Sequence, residues 1–349
     1  MVARTIRTRN GGRRTGRPTL EEVAARAGVG RGTVSRVING SPRVSDRTRA
    51  AVEAAVAELG YVPNRAARAL AANRTDAIAL VVPEPEDRFF AEPYFSDMVR
   101  GVGAALADTE MQLLLTLAGS DRERRRLATY LAAHRVDGVL LVSVHADDPI
   151  PDMLEQLSIP AVISGRRSER ETLAAVDSDN FEGARSAVAH LLARGRRTIG
   201  TITGRLDVYG AQCRLDGYRA ALEAAGQAPE ARLTAPADFT EEGGRRAMRE
   251  LLERCPHVDA VFAASDVMAA GARHVLREAG RRIPDDVALV GFDDSAVARH
   301  MDPALTSVRQ PIEEMGRTMA RVLLQEIRSG SAERPQIVLP TELVVRESS

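Results

Sequence analysis

The spacing of apolar residues changes character near residue 75. Before that point it is helical and comes in short segments. Thr19-Leu20-Glu21-Glu22 forms a capping box, with the Thr19 hydroxyl serving an orphan N–H and Glu22 reaching back. Val23, Ala24 and Ala27 then supply an apolar face, which predicts a helix from about Leu20 to Ala27. Gly28 stands where the chain needs a positive φ to turn, and Thr33–Gly40 restarts a helix with Val34, Val37 and Ile38 facing inward. Ser45 caps a third helix, in which Val52, Ala55, Val56 and Leu59 keep the i, i+3, i+4, i+7 pattern until Gly60 stops it. Residues 18–62 therefore read as a helix-turn-helix with a supporting helix, whose second helix is built to enter a major groove. Within 63–75, Asn64 caps an Ala-rich helix containing Leu70 that is too short to be stable alone.

From Asp76 onward, short apolar runs alternate with helical periods. The runs are Ala77–Val82, Leu113–Thr116, Gly138–Ser143, Ala161–Ser164, Thr198–Thr203, Ala260–Ala263 and Ala288–Phe292. Helices are predicted near 95–108, 122–133, 180–194, 212–225, 241–254, 266–279 and 311–329. Strands alternating with helices imply parallel sheets covered on both faces. Two such sets, broken near Val176–Asp179, predict two similar lobes with a ligand cleft at the carboxyl ends of their strands. The fold class is thus an all-α helix-turn-helix head on an α/β two-lobed body.

Charge sharpens this division. The 349 residues carry 48 basic and 48 acidic side chains, all the basic ones arginine. Fifteen arginines and five acids fall in residues 1–75, so a head of net charge +10 precedes a body of −10. A basic head reads as a polyanion binder. Residues 1–17 are expected to form a disordered basic arm adding salt-sensitive phosphate affinity. The Arg124-Arg125-Arg126 run reads instead as a solvated helix face.

Several chemistries are disfavoured. No stretch approaches the length of a membrane span, and the start has no apolar segment behind its arginines, so a cytoplasmic protein is expected. Asp177-x-Asp179 opens like a calcium loop, but Phe181 and Glu182 stand where an oxygen ligand and the turn glycine belong. The six His and two Cys show no ligand spacing, so neither a metal nor a cofactor is predicted. Gly28-x-Gly30-x-Gly32 follows an amphipathic helix rather than a strand, which weakens a phosphate-loop reading. Asp293-Asp294 could pass for the carboxylate pair of a sugar hydrolase, but neighbours at a strand end point to opposite sides.

AARAGVGRGTVSRVING, followed by VSDRTRAAVEAAVAELGYVPNRAARALAANRT, resembles the DNA-binding head of the LacI family of sugar-responsive repressors. The resemblance extends over about Arg17 to Arg346, and implies a periplasmic-binding-protein-like (type I) body whose chain crosses three times between lobes. It places the first lobe at about 76–175 and 310–330, and the second at about 176–305 and 336–346. In the head it implies that Arg31, Gly32 and Arg36 face bases, that Thr33, Ser35 and Asn39 lie near phosphates, and that Asn64 starts a hinge helix whose Leu70 wedges a base step. Gly32 departs from the family's long polar reader, which throws more of the discrimination onto the two arginines.

In the body the resemblance assigns effector contacts to Arg214 in RLDGY and Asp293 in GFDD, and a ring-stacking role to Phe239. Asp266 matches a further cleft motif, with helix capping as the other reading; Asp179 and Asn180 sit at the crossover, where structural and ligand roles are both open. Phe89, Phe90, Tyr94 and Phe95 are four of only twelve aromatics, and such a cluster at a cleft mouth points to stacking on more than one sugar ring, by Phe90 and Tyr94, with core packing as the equal alternative. The implied function is a homodimeric repressor on a palindromic double-stranded operator, released by an oligosaccharide, with cellobiose or a cello-oligosaccharide first. Another sugar, or a purine-like co-repressor, is the alternative; a sugar-acting enzyme comes last.

Overall fold

The computed structural model describes residues 18–38, 40–61, 74–330 and 333–349. Asn39, Asn64, Leu70, the arm at 1–17 and nearly all of the hinge segment lie outside the described residues. The chain forms two compact units, Met1–Thr75 and Asp76–Ser349.

In the first unit, α1 (Leu20–Ala27) starts on the Thr19–Glu22 capping box and ends at Gly28, whose φ of 66° turns the chain. α2 (Arg31–Ile38) begins two residues earlier than its apolar positions require. α3 (Asp46–Leu59) is capped by Ser45 and stopped by Gly60 at φ 61°. Val23, Val34 and Val52, one from each helix, are wholly buried, and Val37, Ala55 and Tyr61 complete the core. Each buried valine stabilises the head by roughly 1.5–3 kcal/mol, a large share of what so small a unit has.

The second unit holds two six-stranded sheets. The first contains β1 (Ala77–Val82), β2 (Gln112–Leu117), β3 (Gly138–Leu141), β4 (Ala161–Ser164) and β5 (Ala174–Ser178), with β11 (Gln336–Leu339) added beside β5; every pairing is parallel. The second contains β6 (Ile199–Thr203), β7 (Thr234–Pro236), β8 (Ala260–Ala263), β9 (Ala288–Asp293) and β10 (Thr306–Arg309), with β12 (Glu342–Val344) antiparallel on β10. The central strands read as unbroken apolar runs because helices cover both faces.

The chain crosses between lobes after Ser178, after Arg309 and after Leu339. The stretch 336–346, expected as one strand of the second lobe, is divided between the sheets. Pro340 lies between the two strands, where it can neither donate to a ladder nor continue the first. The long helix at Ile312–Ser329 returns to the first lobe, where Gly101 and Gly316 let it lie almost backbone to backbone on the helix Pro93–Leu106. A Cβ at Gly101 would stand 2.0 Å from the Glu313 carbonyl oxygen.

Candidate functional site

The exposed side of α2 carries the residues expected to meet nucleic acid. Arg31, Gly32 and Arg36 are exposed, with Thr33 and Ser35 half-buried beside them. Val34 and Val37 anchor the opposite side in the core. Arg31 pairs with Glu21 at 3.0 Å, but both side chains are mostly in water, so the pair is weak and easily exchanged for a phosphate or base. The Arg36 Nε donates to the Gly32 carbonyl at 3.1 Å, which lays the side chain back along its own helix. Nothing lies within 4 Å of where a Gly32 Cβ would be.

The second unit has a cleft of about 840 Å³, counting the space open to solvent, between the carboxyl ends of the two sheets. Its second-lobe wall is built on Arg214, carried by the helix Tyr209–Ala224. The buried guanidinium donates from Nε to Asn180 Oδ1 at 2.8 Å, lies 3.8 Å from Asp293 Oδ1, and rests on the Phe292 ring at 3.8 Å from its centroid. Burial pulls its pKa down, with Asp293 and Asp177 holding it up. Asp293 accepts from Gln310 Nε2 at 2.6 Å. Burial pushes its carboxyl up to about 7, against the Arg214 charge. Its backbone is strained, at φ 113°, as is that of Phe239 at 67°; such outliers gather where a site over-determines them.

These contacts continue into the crossover segments. Gln310 also accepts from Ser178 Oγ at 2.5 Å, and the Asn180 amide donates to Asp177 Oδ1 at 2.9 Å. A polar chain from Ser178 through Gln310, Asp293, Arg214 and Asn180 to Asp177 therefore ties the cleft wall to two of the three crossings. Asp179 itself caps the helix Asn180–Ala193.

The first-lobe wall presents Tyr94, whose hydroxyl pairs with Ser164 Oγ at 2.7 Å and whose pKa burial drives upward. It also presents Glu92, which burial raises to about 7 against Arg88. Two arginines of this lobe cap aromatic rings of the other: Arg88 over Phe239 at 5.2 Å and Arg166 over Tyr209 at 5.3 Å. The Arg166 Nε is buried without a hydrogen bond, 3.9 Å from Asp177, while the residue itself lines the cleft. Sequence reasoning missed Arg166, because nothing in its loop singles it out from other arginines.

Arg214, Asp293, Phe239 and Tyr94 thus converge on one cleft. Two expected residues do not. Phe90 sits on the helix Glu86–Ala91, where the helical turn sends Phe89 inward and leaves Phe90 73% exposed on the outside. Asp266 is wholly buried beneath the cleft floor, where its oxygens accept from Ser295 N at 2.7 Å and Ser307 Oγ at 2.6 Å. Its neighbour Ser265 caps the helix and borders the cleft. Asp293 and Asp294 point apart, as expected: Asp294 is buried against Arg309 at 2.8 Å and Arg346 at 2.5 Å. They cannot flank one glycosidic bond.

A helix-turn-helix head followed by a two-lobed ligand cleft defines a ligand-responsive DNA-binding regulator. The chain belongs to the bacterial regulatory proteins of the lacI family: residues 19–64 match that family, and residues 188–349 match the periplasmic binding protein-like domain. It is 54% identical to the HTH-type transcriptional regulator CelR of Thermobifida fusca over 95% of this chain and 98% of that relative. Among solved structures, the CelR–cellobiose complex matches with a TM-score of 0.77 and 52% identity, over 95% of this chain and 100% of that one. The Lac repressor dimer bound to operator and the anti-inducer ONPF matches with a TM-score of 0.83 and 28% identity, over 95% and 99%. The chain is a transcriptional regulator. No described helix is long and apolar enough to cross a membrane, and no described cluster of His, Cys, Asp and Glu could hold a metal ion.

Proposed function

We propose that the chain is a cytoplasmic, dimeric repressor that holds a pseudo-palindromic operator and releases it when cellobiose or a longer cello-oligosaccharide occupies the cleft. Two-fold symmetry in the dimer is then mirrored in the DNA. Arg31 and Arg36 read base edges, Thr33, Ser35 and Asn39 hold phosphates, and Gly32 adds no side-chain reading. Asn64 and Leu70 serve the hinge at 63–75, the first as cap and the second as the wedge in the minor groove. In the body, a sugar hydroxyl takes the fork between Arg214 and Asp293, a ring face lies on Phe239, and Tyr94 and Arg166 meet it from the other lobe.

The observation that carries this reading is the polar chain from Arg214 and Asp293 to the crossover segments at Ser178 and Gln310. A ligand gripping that pair acts on the joints between the lobes, and so favours one lobe arrangement over another. The choice of cellobiose rests on the similarity to CelR and its cellobiose complex.

Anisotropy of a labelled palindromic duplex with a central CG step tests it, at one fixed salt concentration, as cellobiose, cellotriose, xylobiose, maltose and a purine are added in turn. Release by cellobiose or cellotriose supports the proposal. Release by xylobiose or maltose moves the effector, tighter binding with any ligand reverses the sign, and absence of specific duplex binding overturns the reading altogether.

A further inference from the structure

A second contact between the lobes stands at the edge of the cleft, behind the lining residues Arg88 and Ser143. Glu84 follows β1, and His145 follows β3, both in the first lobe. Asp207 and Arg205 follow β6 in the second. Glu84 is buried, and its Oε1 accepts from Arg88 at 2.7 Å, from Ser143 Oγ at 2.6 Å and from His145 Nε2 at 2.8 Å. The other ring nitrogen, Nδ1, faces Asp207 Oδ2 at 3.2 Å. Beside it the Ala146 N–H donates to the Asp207 carbonyl at 2.8 Å, so the two loops are joined twice.

An imidazole between two carboxylates satisfies both only when it is an imidazolium, since a neutral ring turns a lone pair toward one of them. The charges around it favour that form. Glu84 faces it from the first lobe and Asp207 from the second, while Asp148 lies on its own loop. Arg88 is paired with Glu84 and Arg205 with Asp207; Arg205 opposes the imidazolium, but by less than Asp207 favours it. The bond to Glu84 lifts the His145 pKa against the effect of burial. Asp207 belongs to the other lobe, so opening the cleft strips one of the two carboxylates from the ring.

We propose that His145 is a positioning residue that couples closing of the cleft to uptake of a proton, its imidazole bridging Glu84 of the first lobe to Asp207 of the second only while the lobes are together. This rests on the reading of the cleft as the effector site, and describes its regulation. Any ligand that selects the closed form therefore binds with help from the imidazolium, and that help fades as pH rises through the closed-form pKa. His145 does not line the cleft, so its influence reaches the ligand through lobe closure.

Two measurements on the full chain test the coupling. In the first, the His145 ring is followed by NMR through a pH titration without sugar and again with saturating cellobiose, assigned from the spectrum of His145→Gln. Asp207→Asn should move its midpoint to lower pH wherever the lobes are together; a midpoint unmoved in both titrations means that no bridge exists in solution and overturns the proposal. In the second, cellobiose affinity is measured calorimetrically from about pH 6 to about pH 8.5 for the wild type and His145→Gln. A glutamine amide still donates to Glu84 but carries no charge, so it stands in for the neutral ring. The loss of affinity should be about tenfold at the acid end for each unit by which closure raises the pKa, and should vanish at the alkaline end. Glu92 and Asp293 titrate in the same range but are present in both proteins, so the difference between the two profiles belongs to His145. A loss that is the same at every pH overturns the proposal. Absence of cellobiose binding at any pH, with the Asp207→Asn shift present, would sink the effector reading while leaving the bridge.

Discussion

Asp293→Asn separates sensing from DNA binding. The substitution keeps the shape of the side chain, and the new amide oxygen can still accept from Gln310, which lies 2.6 Å from Oδ1 of the carboxylate. Arg214 loses its nearest counter-charge but keeps Asn180 Oδ1 and the Ala264 carbonyl, so the wall should stand. With the assay run at about pH 8, above the titration of Asp293 near 7, what disappears is the charged acceptor offered to a sugar hydroxyl. A hydrogen bond to a charged group contributes about 1.5–3 kcal/mol, which corresponds to an effector affinity weakened about 10- to 150-fold. Anisotropy of labelled operator would show an unchanged protein–DNA curve and a cellobiose midpoint shifted to the right by that factor. An effector midpoint within about threefold of the wild type would refute the assignment of Asp293 as a ligand. Loss of operator binding together with a collapse of the thermal midpoint would show that the carboxylate is structural.

Other substitutions probe neighbouring steps. At Gly204 a Cβ would lie 1.9 Å from Phe239 Cζ, so Gly204→Ala must displace the ring; sugar response should weaken about tenfold or more with operator affinity intact, and an unaltered sugar titration would remove Phe239 from the site. Gly32→Gln projects into open space from a helix, so the head should lose no stability and could gain up to about 1 kcal/mol, while selection from a randomised operator should return a changed base preference. If the selected sequence is unchanged, position 32 does not face a base. Leu70→Ala should weaken specific operator binding and spare non-specific DNA affinity; equal losses on both would exclude the wedge.

The helices of the head and most central strands were legible because their signals are local: a capping box at Thr19, a left-handed glycine at Gly28, and apolar runs such as Ala77–Val82. Short strands without an apolar run were not. Thr306–Arg309 is four residues long and ends in an arginine, and its place in the sheet depends on pairing with Ala288–Asp293, which no local pattern reveals. Pro340 did mark the division of the last stretch between sheets, but the apolar residues on either side concealed it. In the cleft, motif position found Arg214 and Asp293 but could not tell Asp266, which holds the floor from below, from Ser265, which reaches the surface. Phe90 misses the cleft because Glu86–Ala91 is a helix too short to show a period in sequence, and only a helix dictates which of two adjacent phenylalanines turns outward. Arg166 and the His145 bridge depend on loops from opposite lobes meeting, which only the assembled fold displays.

The three crossings between the sheets bear on how such a molecule can be recombined. Each lobe is assembled from separated stretches of chain, so neither can be cut out or exchanged as one piece; a transplanted lobe would need three junctions to be compatible at once. The head ends near Thr75 and is joined to the rest at a single point. A new operator can therefore be acquired by one genetic exchange that leaves the ligand cleft whole, whereas a new ligand must be acquired residue by residue within a body inherited intact.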